Sequence, residues 1–243
     1  MNGVACLHPG GLELTARLVA ASRLPLDAAV LDVGCGQGAT VAHLTDDHGL
    51  RAVGVDASAD RVAEASMMRP DLHFVVGRAE SLPFPGASFD AVFCECVLST
   101  LQTPESAVAE AARVLRPGGA YLVSDLYARR ERRPPGPGAR PALGPRRAVT
   151  DLLEDAGFEV LLWTDESGAL MRYIWDHAGG RPAPVAASPR VRDEAAGRRR
   201  LSYFSCLARR RRASASSPHA CAPWPTTSTT PRRWRVGPTS TRG

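Results

Sequence analysis

Apolar positions along this chain switch between a helical and a strand-like period, and the switches predict a regular succession of elements. Residues 10–22 carry apolar side chains at 12, 14, 18, 19 and 21, a mainly helical spacing that Pro25 ends. The run 29–33, apolar but for Asp32, reads as a buried strand, closed by glycines at the alternate positions 34, 36 and 38. Further strands are expected at 51–55, ending at Asp56, and at 73–77, 89–94 and 120–124. Helices are expected between them at 39–47, 60–67 and 104–115, the last with Pro104 near its start. The stretch 116–119, Arg-Pro-Gly-Gly, reads as a turn. Strands that alternate with helices in this way predict a parallel, doubly wound sheet.

The alternation lapses after Asp125. Residues 128–147 are rich in arginine and proline and predict a long loop or lid. Order is expected again as a helix at 148–156 closed by Gly157, a strand at 158–163, a helix across 166–178 and a final strand at 201–208. One domain is therefore expected over 1–208, followed by a disordered basic tail over 209–243.

Charge sharpens this division. The 243-residue chain has a formal charge of +5, yet all 25 acidic residues lie at or before Glu194. With 19 arginines there, residues 1–194 carry −6, and the remaining 11 arginines follow. A basic total ordinarily suggests nucleic acid, but here only the tail is basic, so nucleic acid is not the expected partner. The chain shows neither a secretion signal nor an apolar run of spanning length, and the expected location is cytoplasmic. Six cysteines (6, 35, 94, 96, 206 and 221) fit neither a disulfide framework nor a zinc pattern, so reduced thiols are expected.

The candidate chemistry lies in and after the glycine turn. Glycines there allow backbone amides to approach a ligand closely. Asp56 ends the next strand, 18 residues beyond Gly38, where a carboxylate can accept both hydroxyls of a ribose. The loop reads Gly-Cys-Gly-Gln-Gly, not the dinucleotide spacing, and Asp32 stands directly before it. That acid would repel a pyrophosphate and attract a cation. Asp32 could alternatively accept from the loop amides.

Five motifs in order resemble the class I S-adenosylmethionine-dependent methyltransferases, in particular the small-molecule branch with quinone-biosynthesis and arsenite methyltransferases. They are 31–38 (LDVGCGQG), 54–58 (GVDAS), 77–84 (GRAESLPF), 88–92 (SFDAV) and 115–119 (LRPGG), and the resemblance covers residues 8 to about 208. The implied fold is α/β, a Rossmann-like doubly wound sheet, mostly parallel with an antiparallel final strand. The implied cofactor is S-adenosyl-L-methionine, and the implied reaction is in-line methyl transfer to a small-molecule acceptor. By this resemblance Gly34, Cys35, Gly36 and Gly38 pack against the methionine part of the cofactor, with Asp32 nearby. Asp56 binds the ribose, Ala57 and Arg61 flank the adenine, and Ala79 offers its backbone to that ring. Cys94 and Glu95 face the methionine end and the acceptor.

Arg78 departs from the pattern, because the family often has a carboxylate there that accepts from the adenine amino group. Arginine only donates, so Glu80 or a backbone carbonyl is expected to substitute. Glu95 is the candidate general base for a hydroxyl acceptor, or else orients the cofactor. His8 either closes over the site or belongs to a solvated terminus. Cys35, Cys94 and Cys96 either converge near the transferred methyl, where thiolates would suit a metalloid, or are packing residues. Asp90 is expected to hold local structure, and Trp163, Tyr173 and Trp175 to be core. A non-catalytic cofactor-binding protein and an RNA methyltransferase are the alternatives in other classes.

Overall fold

The computed structural model describes residues 8–129, 143–177 and 201–212. In chain order the elements are α1 (Gly11–Ser22), β1 (Ala29–Val33), α2 (Ala39–Asp46), β2 (Arg51–Asp56), α3 (Ala59–Met68), β3 (His73–Val76) and β4 (Phe89–Glu95). A 3-10 turn (Leu98–Thr100) leads to α4 (Pro104–Val114), β5 (Leu115–Ala128), α5 (Arg146–Asp155), β6 (Phe158–Asp165), α6 (Ser167–His177) and β7 (Leu201–Arg210). Seven strands form one sheet in the order β3-β2-β1-β4-β5-β7-β6. The first five strands pair in parallel, while β7 lies antiparallel between β5 and β6. The expected Rossmann-like, mostly parallel sheet is the one observed.

All five residues of β1 are buried, which explains an apolar run without alternation: helices cover both faces of the sheet. Leu31 and Val33 pack on one face with Val92, Val123, Val108 of α4 and Leu153 of α5. Val30 packs on the other with Phe93, Leu122, Leu18 of α1 and Val41 and Leu44 of α2. The winding reverses at β1, whose neighbours are β2 on one side and β4 on the other. At such a switch point the loops after adjacent strands diverge and leave a crevice at their carboxyl ends.

Two boundaries correct the sequence expectation. Residues 116–119 do not separate a helix from a strand; β5 already starts at Leu115. Phe89 pairs with Leu115 and Ala91 with Ala120, so these four residues bulge out of the ladder between two paired positions. Arg116 ion-pairs with Asp90, whose other oxygen accepts from Ala29 N at 2.8 Å, so Asp90 holds local structure. The second correction is that β7 runs through Arg209 and Arg210, two residues into the expected tail. Arginine suggested solvent, but the Arg209 guanidinium donates to Gly118 O and Ser22 O at 3.1 and 2.8 Å. The compact unit ends at Arg211. Most of the expected lid (130–142) and of the tail (213–243) lies outside the described residues.

The aromatic expectation holds only in part. Trp163 stacks on Phe204 with centroids 4.2 Å apart and packs against the core. Trp175, by contrast, is 50% exposed on α6. Its helical period was read correctly, but no described element covers that face.

Candidate active site

A cavity of about 500 Å³ opens at the carboxyl ends of β1, β2 and β4. Its lining includes Asp32, Gly34, Cys35, Gly36, Asp56, Ala57, Arg61, Arg78, Ala79, Glu80 and Glu95, all expected from the sequence. His8 lines it too, buried and not part of a solvated terminus. Gly38 and Cys94 do not line it and correct the expectation. Gly38, at φ 85°, is the N-cap of α2, and a Cβ there would sit 2.6 Å from the Phe74 ring. It shapes the loop from behind.

The turn itself is built by backbone hydrogen bonds. Gly34 N and Cys35 N both donate to Val55 O, at 2.7 and 3.1 Å. Gly34 has φ 76°, and a Cβ there would clash with the Val97 side chain. Gly54 lets this loop lie on β2, since a Cβ would reach Cys35 Sγ at 2.7 Å. A Cβ on Gly36, at φ 54°, would meet nothing within 4 Å. The chain thus keeps a left-handed glycine where the wall faces open space, the arrangement that lets a ligand approach backbone.

Of the four carboxylates that line this cavity, three stand at strand ends, and each of these is held differently. Asp56 accepts from Gly36 N and Ser58 N, both at 2.9 Å, one on each oxygen. Each oxygen retains a lone pair, enough for two ribose hydroxyls. Glu95 accepts from Thr15 Oγ1 at 3.1 Å on both oxygens and from Thr40 Oγ1 at 3.2 Å. Ser124 Oγ donates to it at 3.5 Å, and His8 Nε2 lies 3.3 Å away. One carboxylate therefore ties together the segment before α1, α1, α2 and β5.

Asp32 is the exception. It is 3% exposed, yet among the described residues no donor reaches its carboxylate. The loop amides go to Val55 and Asp56, so the capping role considered for Asp32 is not realised. Burial first, then the charge on Glu95, push its carboxyl well above the usual carboxylate range; His8 opposes this and Asp56 adds to it.

At the far side of the cavity Arg78 Nη2 pairs with Glu80 Oε1 at 3.0 Å. Arg61 N donates to Ser58 Oγ at 3.4 Å, the N-cap of α3, beside Asp56.

The thiols do not converge. Cys94 packs in the core on one face of the sheet and Cys35 in the cluster on the other. The strand stops at Glu95, and Cys96 takes φ 57°, so the shared strand face expected for Cys94 and Cys96 does not form. Cys96 Sγ lies 3.3 Å from Tyr203 Oη at the cavity wall. Burial pushes the Cys35 and Cys94 thiols up, and that of Cys206 to about 12, so they stay protonated at neutral pH.

Sequence reasoning missed Thr15, Thr40, Val97, Thr100 and Leu101. The last three follow β4 at the carboxyl edge, and the rule that located Asp56 could have flagged them. Thr15 lies 80 residues from its partner Glu95, and no local signal announces that contact.

Residues 31–123 match the family described as "Methyltransferase domain". Over 97 residues the chain is 43% identical to demethylmenaquinone methyltransferase of Beutenbergia cavernae, covering 40% of each chain. The matched stretches span 53% and 45% of the length of two further curated relatives. Among solved structures, the [4+2]-cyclase SpnF is 26% identical with a TM-score of 0.67, covering 82% of this chain and 81% of that one. Phosphoethanolamine N-methyltransferase 2 of Haemonchus contortus, solved with S-adenosyl-L-methionine, has a TM-score of 0.69 at 16% identity, covering 87% and 55%. Among the described residues no helix is long and apolar enough to cross a membrane. S-adenosylmethionine is the donor such a domain uses, and the cavity residues fit it: an unpaired buried carboxylate, a glycine wall open to the cavity and a carboxylate with free lone pairs.

Proposed function

We infer that the chain binds S-adenosylmethionine in this cavity and transfers its methyl group to a small-molecule acceptor. The observation that carries this reading is the placement of Asp32 and Asp56 on adjacent strand ends, either side of the glycine wall. A cofactor with an ammonium and a ribose needs one carboxylate for each. Asp56 would hold the ribose, Asp32 the ammonium, Gly34–Gly36 the methionine chain, and Ala57, Arg61, Ala79 and Glu80 the adenine. When bound, the cofactor supplies an electrophilic methyl group on sulfur with a neutral leaving group.

The protein's own residues then have to align the acceptor and exclude water. Glu95 serves that task by holding α1 and His8 against the sheet edge. Its lone pairs are committed to Thr15, Thr40, Ser124 and His8, which supports an orienting role over the general-base role. The acceptor lies on the His8, Cys96–Leu101 side of the cavity. Its class is a small molecule; the similarity to a demethylmenaquinone methyltransferase makes quinones the first compounds to try.

Calorimetry with S-adenosylmethionine and S-adenosylhomocysteine tests the binding claim, and failure of both to bind at millimolar concentration would sink it. A second reading, cofactor binding without methyl transfer, is favoured by the similarity to a protein whose reaction is a [4+2] cyclisation. Appearance of S-adenosylhomocysteine when acceptors are added separates the two.

A further inference from the structure

Asp32 and its surroundings carry a consequence for how a cation enters the site. The geometry points to a proton-coupled cofactor site, in which Asp32 holds a proton until an ammonium arrives and then releases it to solvent. This rests on the reading of the cavity as an S-adenosylmethionine site.

Three acids from three strand ends border one cavity: Asp32 on β1, Asp56 on β2 and Glu95 on β4. Asp56 and Glu95 each accept two or more hydrogen bonds. Asp32 is buried with no donor among the described residues and has two other carboxylates for neighbours. Burying a charged carboxylate without a hydrogen-bond donor is costly, and binding a proton relieves that cost. The direction of its titration, upward through burial and the Glu95 charge, agrees.

The other titratable groups near Asp32 are His8 from the segment before α1, the Cys35 thiol of the loop and the Cys94 thiol of β4, which burial also holds up. Cys35 stays protonated with or without a nearby cation, because burial holds its thiol up. His8 is the competing source, since a cation beside it would also expel a proton. The charged groups Arg61 and Arg78 line the same cavity on the α3 and Glu80 side.

The step balances simply. The carboxyl O–H of Asp32 breaks, its proton passes to buffer, and the carboxylate left behind pairs with the incoming ammonium. Cofactor affinity then falls as pH is lowered, because the proton and the ammonium compete for one carboxylate.

The experiment is titration calorimetry at pH 6 in several buffers of different ionisation enthalpy, using the full chain. The slope of observed heat against buffer ionisation enthalpy counts the protons released. Wild type is expected to release a measurable fraction of a proton, at most one, per S-adenosylmethionine or S-adenosylhomocysteine bound, as linkage requires of a group that binds its proton in only one state. 5′-Methylthioadenosine, which has no ammonium, is expected to bind with a release near zero. Asp32→Asn should abolish the release and His8→Gln should keep it. Tight binding without buffer dependence overturns the proposal while leaving the site assignment intact. Loss of the release in His8→Gln, or equal release with 5′-methylthioadenosine, overturns it as well. The wild-type comparison of ligands decides the matter even if Asp32→Asn fails to fold. No binding by any of the three compounds refutes the cofactor reading itself.

Discussion

The carboxyl ends of β1 and β2 lie side by side at one sheet edge, and each presents an aspartate to the same cavity. Both are buried, at 3% and 7% exposure for Asp32 and Asp56. Yet Asp56 is held by two backbone amides, and Asp32 by none among the described residues. The contrast teaches that burial alone does not define a carboxylate's role. Asp56 is part of the architecture as well as of the site, since its hydrogen bond to Gly36 N closes the loop onto β2. Among the described residues the Asp32 carboxylate accepts no hydrogen bond, and its place is accounted for by what the cavity receives.

The comparison can be broken most forcefully at Asp56. Asp56→Ala strips the acceptor from two amides as well as from the ribose. It should weaken S-adenosylmethionine by about 100-fold or more and lower the melting temperature too. A variant with unchanged affinity in calorimetry would remove Asp56 from the site. Gly38→Ala probes the same loop from the side away from the cavity. Its positive φ and the nearby Phe74 ring predict a stability loss of about 2–3 kcal/mol in urea melts. Gly36→Ala, which meets no protein atom, should cost about 1 kcal/mol of stability and lose proportionately more cofactor affinity.

Asp32→Asn sharpens the comparison from the other side. Removing a buried carboxyl that supports nothing should leave the melting temperature unchanged or raised, while cofactor affinity at pH 8 drops about tenfold. A melting temperature that falls as far as in Asp56→Ala would erase the distinction. The smallest effect is the pH dependence of stability without cofactor. The folded-state pKa values of Asp32 and of buried Asp125 are raised by burial, so the folded state binds more protons than the unfolded one. Their contribution is fully present below the ordinary carboxylate pKa and is lost as pH rises through the folded values. Urea midpoints between pH 4 and 8 should therefore show a declining component that flattens in Asp32→Asn.

Much of the fold was legible because its signals are local. The apolar run 29–33, the three alternate glycines and the strand ending at Asp56 each depend on neighbours in sequence, and strands and helices through Val114 fall within a residue or two of expectation. The site residues on strand ends and the loops just after them were legible for the same reason, since position along a parallel strand decides which edge a side chain reaches. The expectation went astray where an ordinary local cue had a distant explanation. Cys94 looked like a strand-end residue facing the ligand, but the next turn of the pleat directs it into the core with Tyr121. Arg209 looked like tail, but carbonyls of Gly118 and Ser22 receive its guanidinium.

By itself, then, the order of apolar and polar residues determined a doubly wound sheet, a glycine turn at its first strand and acids at the ends of the first, second and fourth. Those follow from periods of two and 3.6 residues and from the conformational freedom of glycine, which need no distant partner. Only the tertiary structure decided what each acid does. Asp56 found amides, Glu95 found hydroxyls from α1, α2 and β5, and Asp32 found neither. Hydrogen bonds and desolvation depend on which groups the closed fold brings within about 3 Å, and spacing along the chain does not encode that.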